Sequence, residues 1–493
     1  MRGRIILAIV AAAGATLVAG GQPTGALAAA NAALGADTIT SIEYAGKGKW
    51  HLFGQAVNPS AQDPEYDMSN YTVTIDYVHA AKHMVMNRMQ TVEPGRVRPA
   101  PHDERADEYV SGAVSWVVMP PGGPATGLPL ANIPEQKNVE ERAMEIWATP
   151  HGFLRLATAN HATSKAVKGG TEVSFSDGTH KFVGTINAQH EVVRILTWID
   201  SPVLGDMPCE ALFTDYRDFG GVRFPSHIVR LMAGKTRLDI TVSSVTANPH
   251  VDIQTPEPMR VAMTAPVKTT AEKLADGVYW IRGFQWHSVA VDQGDHIVVI
   301  DGPLHEARSL AVIAQVKEAI PNKPIKYLVN THAHFDHAGG LRTYAAEGAT
   351  IVTLPINQAY YEKSWKAPRT LMPDRLSTSG KKAVFLPVTN DKLVLPDAKH
   401  PVEVYHQIGT DHNDAVAMIY LPADKILIQV DAWNTESLNA PMPRSVNPYM
   451  VNLNDNIQRL KLDVALIVPL HGPRTGTVAE LQERIKAPAA AAK

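Results

Sequence analysis

Apolar and polar residues alternate along much of the first half of this chain. Between about residues 36 and 252, a period of two is far more frequent than the helical period of 3.6. The clearest alternating runs lie at residues 71–77, 172–175, 181–186, 192–199 and 238–245. Asp177-Gly178 separates two of these runs and predicts a type I′ hairpin turn. The pattern therefore predicts a curved, mostly antiparallel sheet.

The second half of the chain has a different pattern. It begins with short apolar runs, which predict three strands at residues 278–281, 287–291 and 296–300. A helix is predicted next, because Leu310, Ile313, Val316 and Ile320 lie close to helical spacing. Another apolar run, at residues 325–329, predicts a fourth strand after that helix.

The length of the chain and a proline-rich stretch indicate more than one domain. A chain of 493 residues is too long for one hydrophobic core, since domains typically hold about 100 to 200 residues. The stretch with Pro256, Pro258 and Pro266 has no clear period and predicts a linker. We therefore predict an α+β protein with a signal peptide at 1–28, a β-rich antiparallel domain at 36–252, a linker at 253–271, a second domain at 272–486 and a disordered tail at 487–493.

The N-terminus has the pattern of a secretory signal. It combines a positive start at residues 1–4, an apolar stretch at 5–19 and the small-residue cleavage site Ala26-Leu27-Ala28. The apolar stretch is interrupted by glycine and is shorter than the roughly 20 residues that span a bilayer. We therefore expect a mature chain that begins near Ala29, is periplasmic or secreted, and is not stably inserted in a membrane.

Charge and cysteine content exclude two further possibilities. The formal net charge of -3 is spread over mixed charges without a basic run, so we expect no nucleic-acid partner. Cys209 is the only cysteine, and the chain therefore cannot form a disulfide within itself.

The candidate chemistry is concentrated in one short segment. Directly after the apolar run at 325–329, and before Gly339-Gly340, come four residues with imidazole or carboxylate side chains: His332, His334, Asp336 and His337. Zinc binds imidazole nitrogen and carboxylate oxygen, and a catalytic zinc site keeps one position open for water. A strand that ends in a tight loop would direct these side chains to two neighbouring metal positions.

This segment resembles the HxHxDH motif of the metallo-β-lactamase superfamily. Further ligands follow at the family's positions: His412 before an apolar strand, Asp431 after one, and His471 in a His-Gly turn. Val430 stands where the family usually has glycine. The resemblance implies a four-layer αβ/βα sandwich over residues 272–486 as the catalytic domain.

The resemblance also implies a specific set of metal ligands. His332, His334 and His412 would hold one ion, and Asp336, His337 and His471 a second, with Asp431 shared. We expect two Zn²⁺ ions per chain, with iron or manganese as alternatives. Asp336 could also act in catalysis by taking a proton from the bridging water. Asp301, at the end of a predicted strand, either supports the metal loop or merely terminates that strand.

The N-terminal region has a looser resemblance. Residues 213–245 look similar to the half-barrel of periplasmic lipoprotein-carrier domains. Such a sheet could hold an acyl chain or a peptide, although the same alternation describes any half-buried sheet. Structural support of the catalytic domain is the default interpretation.

The ligand set leads to a function without fixing the substrate. We expect a zinc-dependent hydrolase in which a metal-bridging hydroxide attacks a small-molecule ester, lactone, thioester or amide, β-lactams included. Three alternatives stay open: an iron persulfide-type dioxygenase of the same fold, a flavodiiron-like oxidoreductase and a non-enzymatic periplasmic lipid- or lipoprotein-binding protein. The flavodiiron group has glutamate where His334 stands. Further candidate site residues are Gln285, Trp286, Tyr360 and Arg444.

Overall fold

A computed structural model describes residues 25–120, 130–135, 138–436 and 445–486 of the chain. Within these ranges the strands form three sheets, of thirteen, seven and five strands. The thirteen-stranded sheet ends at Ala247, and the other two begin from Thr270 onward. Most of the predicted signal peptide and the predicted tail lie outside the described residues.

The first sheet contains every strand that the structure describes in the N-terminal region. Its strands in chain order are β1 (Ser41–His51), β2 (Glu65–Asp76), β3 (Ala81–Gln90), β4 (Glu104–Ser111), β5 (Val114–Met119), β6 (Ala131–Pro134), β7 (Thr163–Val167), β8 (Gly170–Ser176), β9 (Lys181–Ile186), β10 (Val192–Ser201), β11 (Gly205–Asp218), β12 (Arg223–Met232) and β13 (Lys235–Ala247). Neighbours in the sheet are consecutive in the chain and antiparallel, except that β1 also pairs with β13. The prediction of a large antiparallel sheet in this region is confirmed.

Strand β2 shows how the alternating sequence produces a half-buried sheet. Its buried side chains are those of Tyr66, Met68, Tyr71, Val73 and Ile75. The spacing of three between Met68 and Tyr71 coincides with a shift in the register of β2 against β3. An inserted residue moves the alternation by one position, and this keeps the apolar side chains on one face.

The predicted turn at Asp177-Gly178 is wrong in its type. A type I′ turn needs positive φ at both central residues, but only Gly178 has it, at 100°. The connection between β8 and β9 is centred on Gly178 and Thr179 instead, because the Asp177 N–H group donates to the His180 carbonyl oxygen at 3.1 Å. The Asp177 Oδ1 atom accepts hydrogen bonds from the backbone N–H groups of Thr179 and His180, as aspartate side chains commonly do in turns.

Three helices that the sequence analysis does not predict pack against this sheet. They are α1 (Gly25–Leu34), α2 (Val139–Trp147) and α3 (Pro150–Ala159). Leu27 of α1 and Phe153 of α3 belong to the same buried cluster as Ile42 and Ile240 of the sheet. The apolar face of the sheet is therefore covered by segments of the same chain.

Helix α2 brings charged as well as apolar groups to the sheet, since its Ile146 lies in the buried cluster. Glu145 lies 2.8 Å from Arg230 and also contacts the buried Lys82. Two small pockets beside this helix share Glu141, Glu145 and Arg237 among their lining residues. The acyl or peptide ligand expected for this region stays a prediction.

Helix α1 crosses the cleavage point predicted after Ala28. Leu27, on the side that cleavage would remove, is 1% exposed and packs in the N-terminal core. The location of the protein stays a prediction. Within the described ranges, no helix is long and apolar enough to span a membrane.

The predicted linker contains a short helix, α4 (Glu257–Thr264). Pro258 lies in its first turn, where a missing N–H group costs nothing and the fixed φ angle suits a helix. Met259 is buried, and α4 packs against β5 and β6. The proline-rich segment is thus partly ordered against the first sheet.

The C-terminal region contains the two smaller sheets. The seven-stranded sheet consists of β14 (Thr270–Ala275), β15 (Val278–Arg282), β16 (Ser288–Gln293), β17 (His296–Ile300), β18 (Ile325–Val329), β19 (Thr350–Thr353) and β20 (Val384–Pro387), and the five-stranded sheet of β21 (Lys392–Leu395), β22 (Val402–His406), β23 (Ala417–Leu421), β24 (Ile426–Gln429) and β25 (Leu466–Pro469). The helices are α5 (Glu306–Ala319), α6 (Phe335–Ala338), α7 (Leu341–Glu347), α8 (Pro355–Ser364), α9 (Arg375–Ser379), α10 (Pro448–Arg459) and α11 (Val478–Arg484).

The two smaller sheets share a core. Val298 and Ile300 of β17 lie in the same buried cluster as Ile419 of β23 and Ile428 of β24. The opposite faces of the sheets pack against helices, including α5 on the larger sheet and α10 on the smaller one. Burial on both sides explains why β17 is apolar at nearly every position.

Candidate metal centre

The seven predicted metal ligands lie where strands of the C-terminal region begin or end. His332 and His334 follow β18, and Asp336 and His337 belong to the short helix α6. The others are His412, in the loop before β23, Asp431, after β24, and His471, after β25. Strand ends of one α/β region meet at a common edge, where side chains from distant parts of the chain converge.

The structure brings all seven residues together in two groups. One group consists of His332, His334, His412 and Asp431, and the other of Asp336, His337 and His471. Within each group the candidate ligand atoms lie within 4.8 Å of one another. This grouping matches the division into two sites that the sequence motif implies.

Asp431 faces both groups. Its Oδ2 atom is 3.2 Å from His332 Nε2 and 3.0 Å from His412 Nε2, both in the first group. The same carboxylate approaches the second group, with 3.4 Å to His337 Nε2 and 3.2 Å to His471 Nε2. Asp431 is therefore the residue whose position suits a shared ligand.

Three imidazole nitrogens of the first group fit a bound cation. The buried atoms His332 Nε2, His334 Nδ1 and His412 Nε2 make no well-aligned hydrogen bond to any described residue, although the first and third lie beside the Asp431 carboxylate. A buried nitrogen lone pair without a partner is unfavourable, and native structures satisfy nearly all such groups. Three such nitrogens beside one carboxylate form a set of nitrogen and oxygen donors that suits zinc or a similar divalent metal.

Hydrogen bonds fix which ring nitrogen each histidine presents. His337 Nδ1 donates to Asp301 Oδ2 at 2.7 Å, and His471 Nδ1 donates to the Gln285 carbonyl oxygen at 2.6 Å. Their Nε2 atoms are left facing each other, 2.9 Å apart. Metal-binding histidines commonly use one nitrogen for the ion and the other for such a supporting bond.

Asp301 has the supporting role, not merely that of ending a strand. Its fully buried carboxylate accepts hydrogen bonds from the Thr331 N–H group at 2.8 Å and the Thr331 hydroxyl at 2.9 Å, besides the bond from His337. It therefore holds both the start of the metal loop and one ligand ring.

Burial and neighbouring charges shift the pKa values of the candidate histidines in opposite directions. Burial lowers the pKa of His332 to about 4, so that this ring is neutral near pH 7. Burial also opposes protonation of His471, but the nearby Asp431 and Asp336 carboxylates outweigh it and raise the pKa of His471 to about 9. The pKa values of both carboxyl groups are held well below their usual range, against the effect of burial, chiefly by His337. The centre thus provides the negative charge that a cation requires.

The additional candidates from the sequence have different outcomes. Trp286 lies at the centre, where its indole Nε1 donates to Asp336 Oδ2 at 3.1 Å. Gln285 contributes its backbone carbonyl rather than its side chain. Tyr361, next to the predicted Tyr360, donates to the His332 carbonyl at 3.3 Å. Arg444 lies outside the described residues.

Sequence reasoning missed residues of the N-terminal region that contact this centre. Gln55 Nε2 donates to Asp336 Oδ1 at 2.7 Å, and His334 Nε2 donates to the Ala56 carbonyl at 3.0 Å. These partners are 281 and 278 residues apart in the chain, and no local pattern marks them. Cys209 lies elsewhere, buried in a small cluster with Met207.

Comparisons with known proteins agree with this geometry. Residues 281–431 match the model of the family described as Metallo-beta-lactamase superfamily. A 71-residue segment is 28% identical to a linear primary-alkylsulfatase of a Pseudomonas species and spans 10% of that relative's length. The match to the superfamily model confirms the resemblance seen in the motif.

Solved structures with similarity to the chain include two metallo-β-lactamases. The enzyme from Pontibacter korlensis is 18% identical and has a TM-score of 0.35, over 45% of this chain and 98% of its own. The enzyme from Hirschia baltica is 17% identical and has a TM-score of 0.33, over 44% of this chain and 96% of its own.

Proposed function

We propose that this protein is a zinc-dependent hydrolase with two zinc ions per chain. The observation that carries this proposal is the grouping of three buried imidazole nitrogens, none with a well-aligned hydrogen bond among the described residues, with the carboxylate of Asp431. The second group, of Asp336, His337 and His471, lies on the other side of the same carboxylate. The proposed substrates are small molecules with an ester, lactone, thioester or amide bond, β-lactams among them.

Bound divalent ions would supply a nucleophile near neutral pH, since they lower the pKa of bound water from about 15.7 towards 7. The residues of the chain have distinct tasks in this chemistry. Asp431 lies between the two groups and supplies negative charge to both. The carboxylate of Asp336 is partly exposed at the centre, where it could accept a proton. It accepts hydrogen bonds from the side chains of Trp286 and Gln55.

The proposal extends to architecture and location. All seven candidate ligands lie within residues 272–486, which supports that range as the catalytic domain. The shared core of the two smaller sheets, with helices on their outer faces, supports the four-layer αβ/βα arrangement. Export to the periplasm or the medium is supported by the basic start and the apolar run at residues 5–19.

The alkylsulfatase relative adds one substrate class to the test. That match covers 14% of this chain and 10% of the relative. It therefore supports sulfate esters only as members of the ester class. A panel should therefore contain carboxylic esters, lactones, thioesters, β-lactams and medium-chain alkyl sulfates.

Metal analysis combined with this panel tests the proposal. We expect about two zinc ions per purified chain and turnover of at least one panel member, both lost together on chelation and restored by Zn²⁺. His332→Ala should lose the first ion and weaken the second, whereas His250→Ala, at an exposed position, should change neither. A chain with one iron and oxygen uptake would instead support the persulfide-type dioxygenase, and absence of any bound metal would contradict the proposal.

A further inference from the structure

The segment of residues 53–58, which follows β1, packs directly on the metal loop of the C-terminal region. The Phe335 N–H group donates to the Gly54 carbonyl at 3.2 Å, and the rings of Phe53 and Phe335 meet edge to face with centroids 5.4 Å apart. Gly54 has φ of +81°, and a Cβ atom there would lie 2.6 Å from the Phe335 ring. Only glycine permits this close approach.

One carbonyl of the 53–58 segment ties two ligand loops together. The Ala56 oxygen accepts from His334 Nε2 at 3.0 Å and from Asn413 Nδ2 at 3.1 Å, and Asn413 is the neighbour of His412. The bond to His334 fixes the tautomer of that ring, because the nitrogen that donates to the carbonyl cannot also be a metal ligand. His334 Nδ1 is therefore the nitrogen left to face the other ligands.

Gln55 acts on the second ligand group. Its side-chain amide donates to Asp336 Oδ1 at 2.7 Å, while the Trp286 indole donates to Asp336 Oδ2 at 3.1 Å. Each oxygen of the Asp336 carboxylate thus has its own donor, and the plane of the carboxylate is fixed. Of these two donors, Gln55 comes from the N-terminal region.

The 53–58 segment is itself held in place from the N-terminal side. The backbone N–H groups of Gly54 and Gln55 donate to Asp63 Oδ1 at 3.0 and 3.3 Å. Asp63 is 4% exposed, and Lys235 Nζ lies 3.6 Å from its other carboxylate oxygen. The segment therefore presents Gln55 and Ala56 from an anchored loop rather than from a free one.

A second N-terminal connection reaches the loop of His412. Arg96 lies 2.9 Å from the Asp414 carboxylate, and the Val97 N–H group donates to Asp411 at 2.9 Å. Both aspartates flank His412 in the sequence, with His412 between them. The N-terminal region therefore supports the loops of three predicted ligands, those of His334, Asp336 and His412.

We propose that the 53–58 segment is an integral part of the metal centre, in which Gln55 is a positioning residue for Asp336 and the Ala56 carbonyl positions His334. The inference rests on the proposed metal-dependent hydrolase and assigns the N-terminal region a role in metal affinity. The default interpretation, in which that region only supports stability, does not require any of these contacts.

Zinc affinity of full-length variants tests the role of Gln55. Chelator competition should show that Gln55→Ala weakens the zinc ion of the second ligand group, that of Asp336, by about tenfold, in line with the loss of a supporting partner, and changes the ion of the first group by less than about twofold. Gln189→Ala, which removes an exposed glutamine of the same region, should leave both affinities at wild-type values. A purely structural role would weaken both ions equally and lower the unfolding midpoint of the metal-free chain, and this result would overturn the inference.

Hydrogen exchange of the unaltered protein provides a second measurement. Zinc loading should slow amide exchange in a peptide that contains residues 53–58, as well as in the metal loop, because the segment bonds to two ligands. Exchange in the distant loop at residues 187–191 should not change. Protection of the metal loop alone would contradict the inference.

The outcomes also separate this inference from the proposed function. If the wild-type chain binds two zinc ions but hydrolyses no panel substrate, the proposed function fails, while the zinc affinity of Gln55→Ala still decides the inference. If wild-type and Gln55→Ala chains bind zinc equally and hydrolyse substrate equally, the function stands and the inference fails. A wild-type chain that binds no zinc overturns both.

Discussion

The most direct test of the two-metal arrangement is the substitution Asp431→Asn. The amide keeps nearly the same shape as the carboxylate but removes its charge. In the structure this carboxylate lies between 3.0 and 3.4 Å from nitrogens of four histidines, two in each ligand group. The substitution therefore removes the single negative charge that both groups share, and it leaves the packing around it almost unchanged.

The size of the effect follows from the charge. A unit charge pair about 4 Å apart is worth roughly 4 kcal/mol at an effective dielectric constant of 20. Since about 1.4 kcal/mol corresponds to a tenfold change, losing that attraction would weaken metal binding by up to about a thousandfold. Competition by water and compensation by the remaining ligands reduce this figure, and we expect a loss of about a hundredfold or more in zinc affinity and in kcat/KM.

The assay compares zinc content, zinc affinity and turnover in three chains: wild type, Asp431→Asn and the control Asp455→Asn. Asp455 is an exposed residue of α10, so its substitution makes the same chemical change away from the centre. Circular dichroism of the metal-free chains should coincide. Turnover by Asp431→Asn close to that of wild type, at matched zinc content, would remove Asp431 from the centre and refute the shared-ligand reasoning.

Three further predictions test the surroundings of the centre and the N-terminal region. Asp301→Asn should weaken zinc binding about tenfold to a hundredfold in chelator competition, because the His337 ring loses the acceptor that orients it. Burial lowers the pKa of His151 to about 4, whereas in the unfolded chain this imidazole becomes protonated near pH 6.5. The free energy of unfolding, measured with urea, should therefore fall by about 2 kcal/mol between pH 7 and pH 5. The variant His151→Gln should lack this part of the pH dependence. N-terminal sequencing of exported protein should find a start near Ala29 if the predicted site is used, and a start before Gly25 would show that α1 is retained whole.

The residues of the candidate centre could be identified from the sequence because each is marked by a local pattern. His332, His334, Asp336 and His337 lie within six residues, directly after a buried strand. The more distant ligands also adjoin short apolar runs, and those runs form strands because both of their faces are buried. A side chain that lies at a strand end keeps this signal wherever its partners are in the chain.

The helices that pack on the first sheet were not predicted, because their sequences carry no comparably strong local pattern. Helix α2 buries Arg142 beside Ile146, and its Glu145 pairs with Arg230 of the sheet. A helical period is recognised over a window of about 11 to 18 residues, and α2 has only 9. The surrounding strands have strong alternation, and the analysis therefore assigned the whole region to a sheet.

The contribution of the N-terminal region to the metal centre could not be predicted for a related reason. Ala56 acts through its backbone carbonyl, which every residue has, and Gln55 acts through an amide that would be an ordinary polar side chain on any loop. What distinguishes them is the approach of Gly54 to Phe335, and this contact exists only when the two regions are folded together. The candidate metal centre therefore has contacts from both regions, and under our proposal binding of metal should stabilise their association, because a ligand that binds only the assembled form shifts the equilibrium towards it.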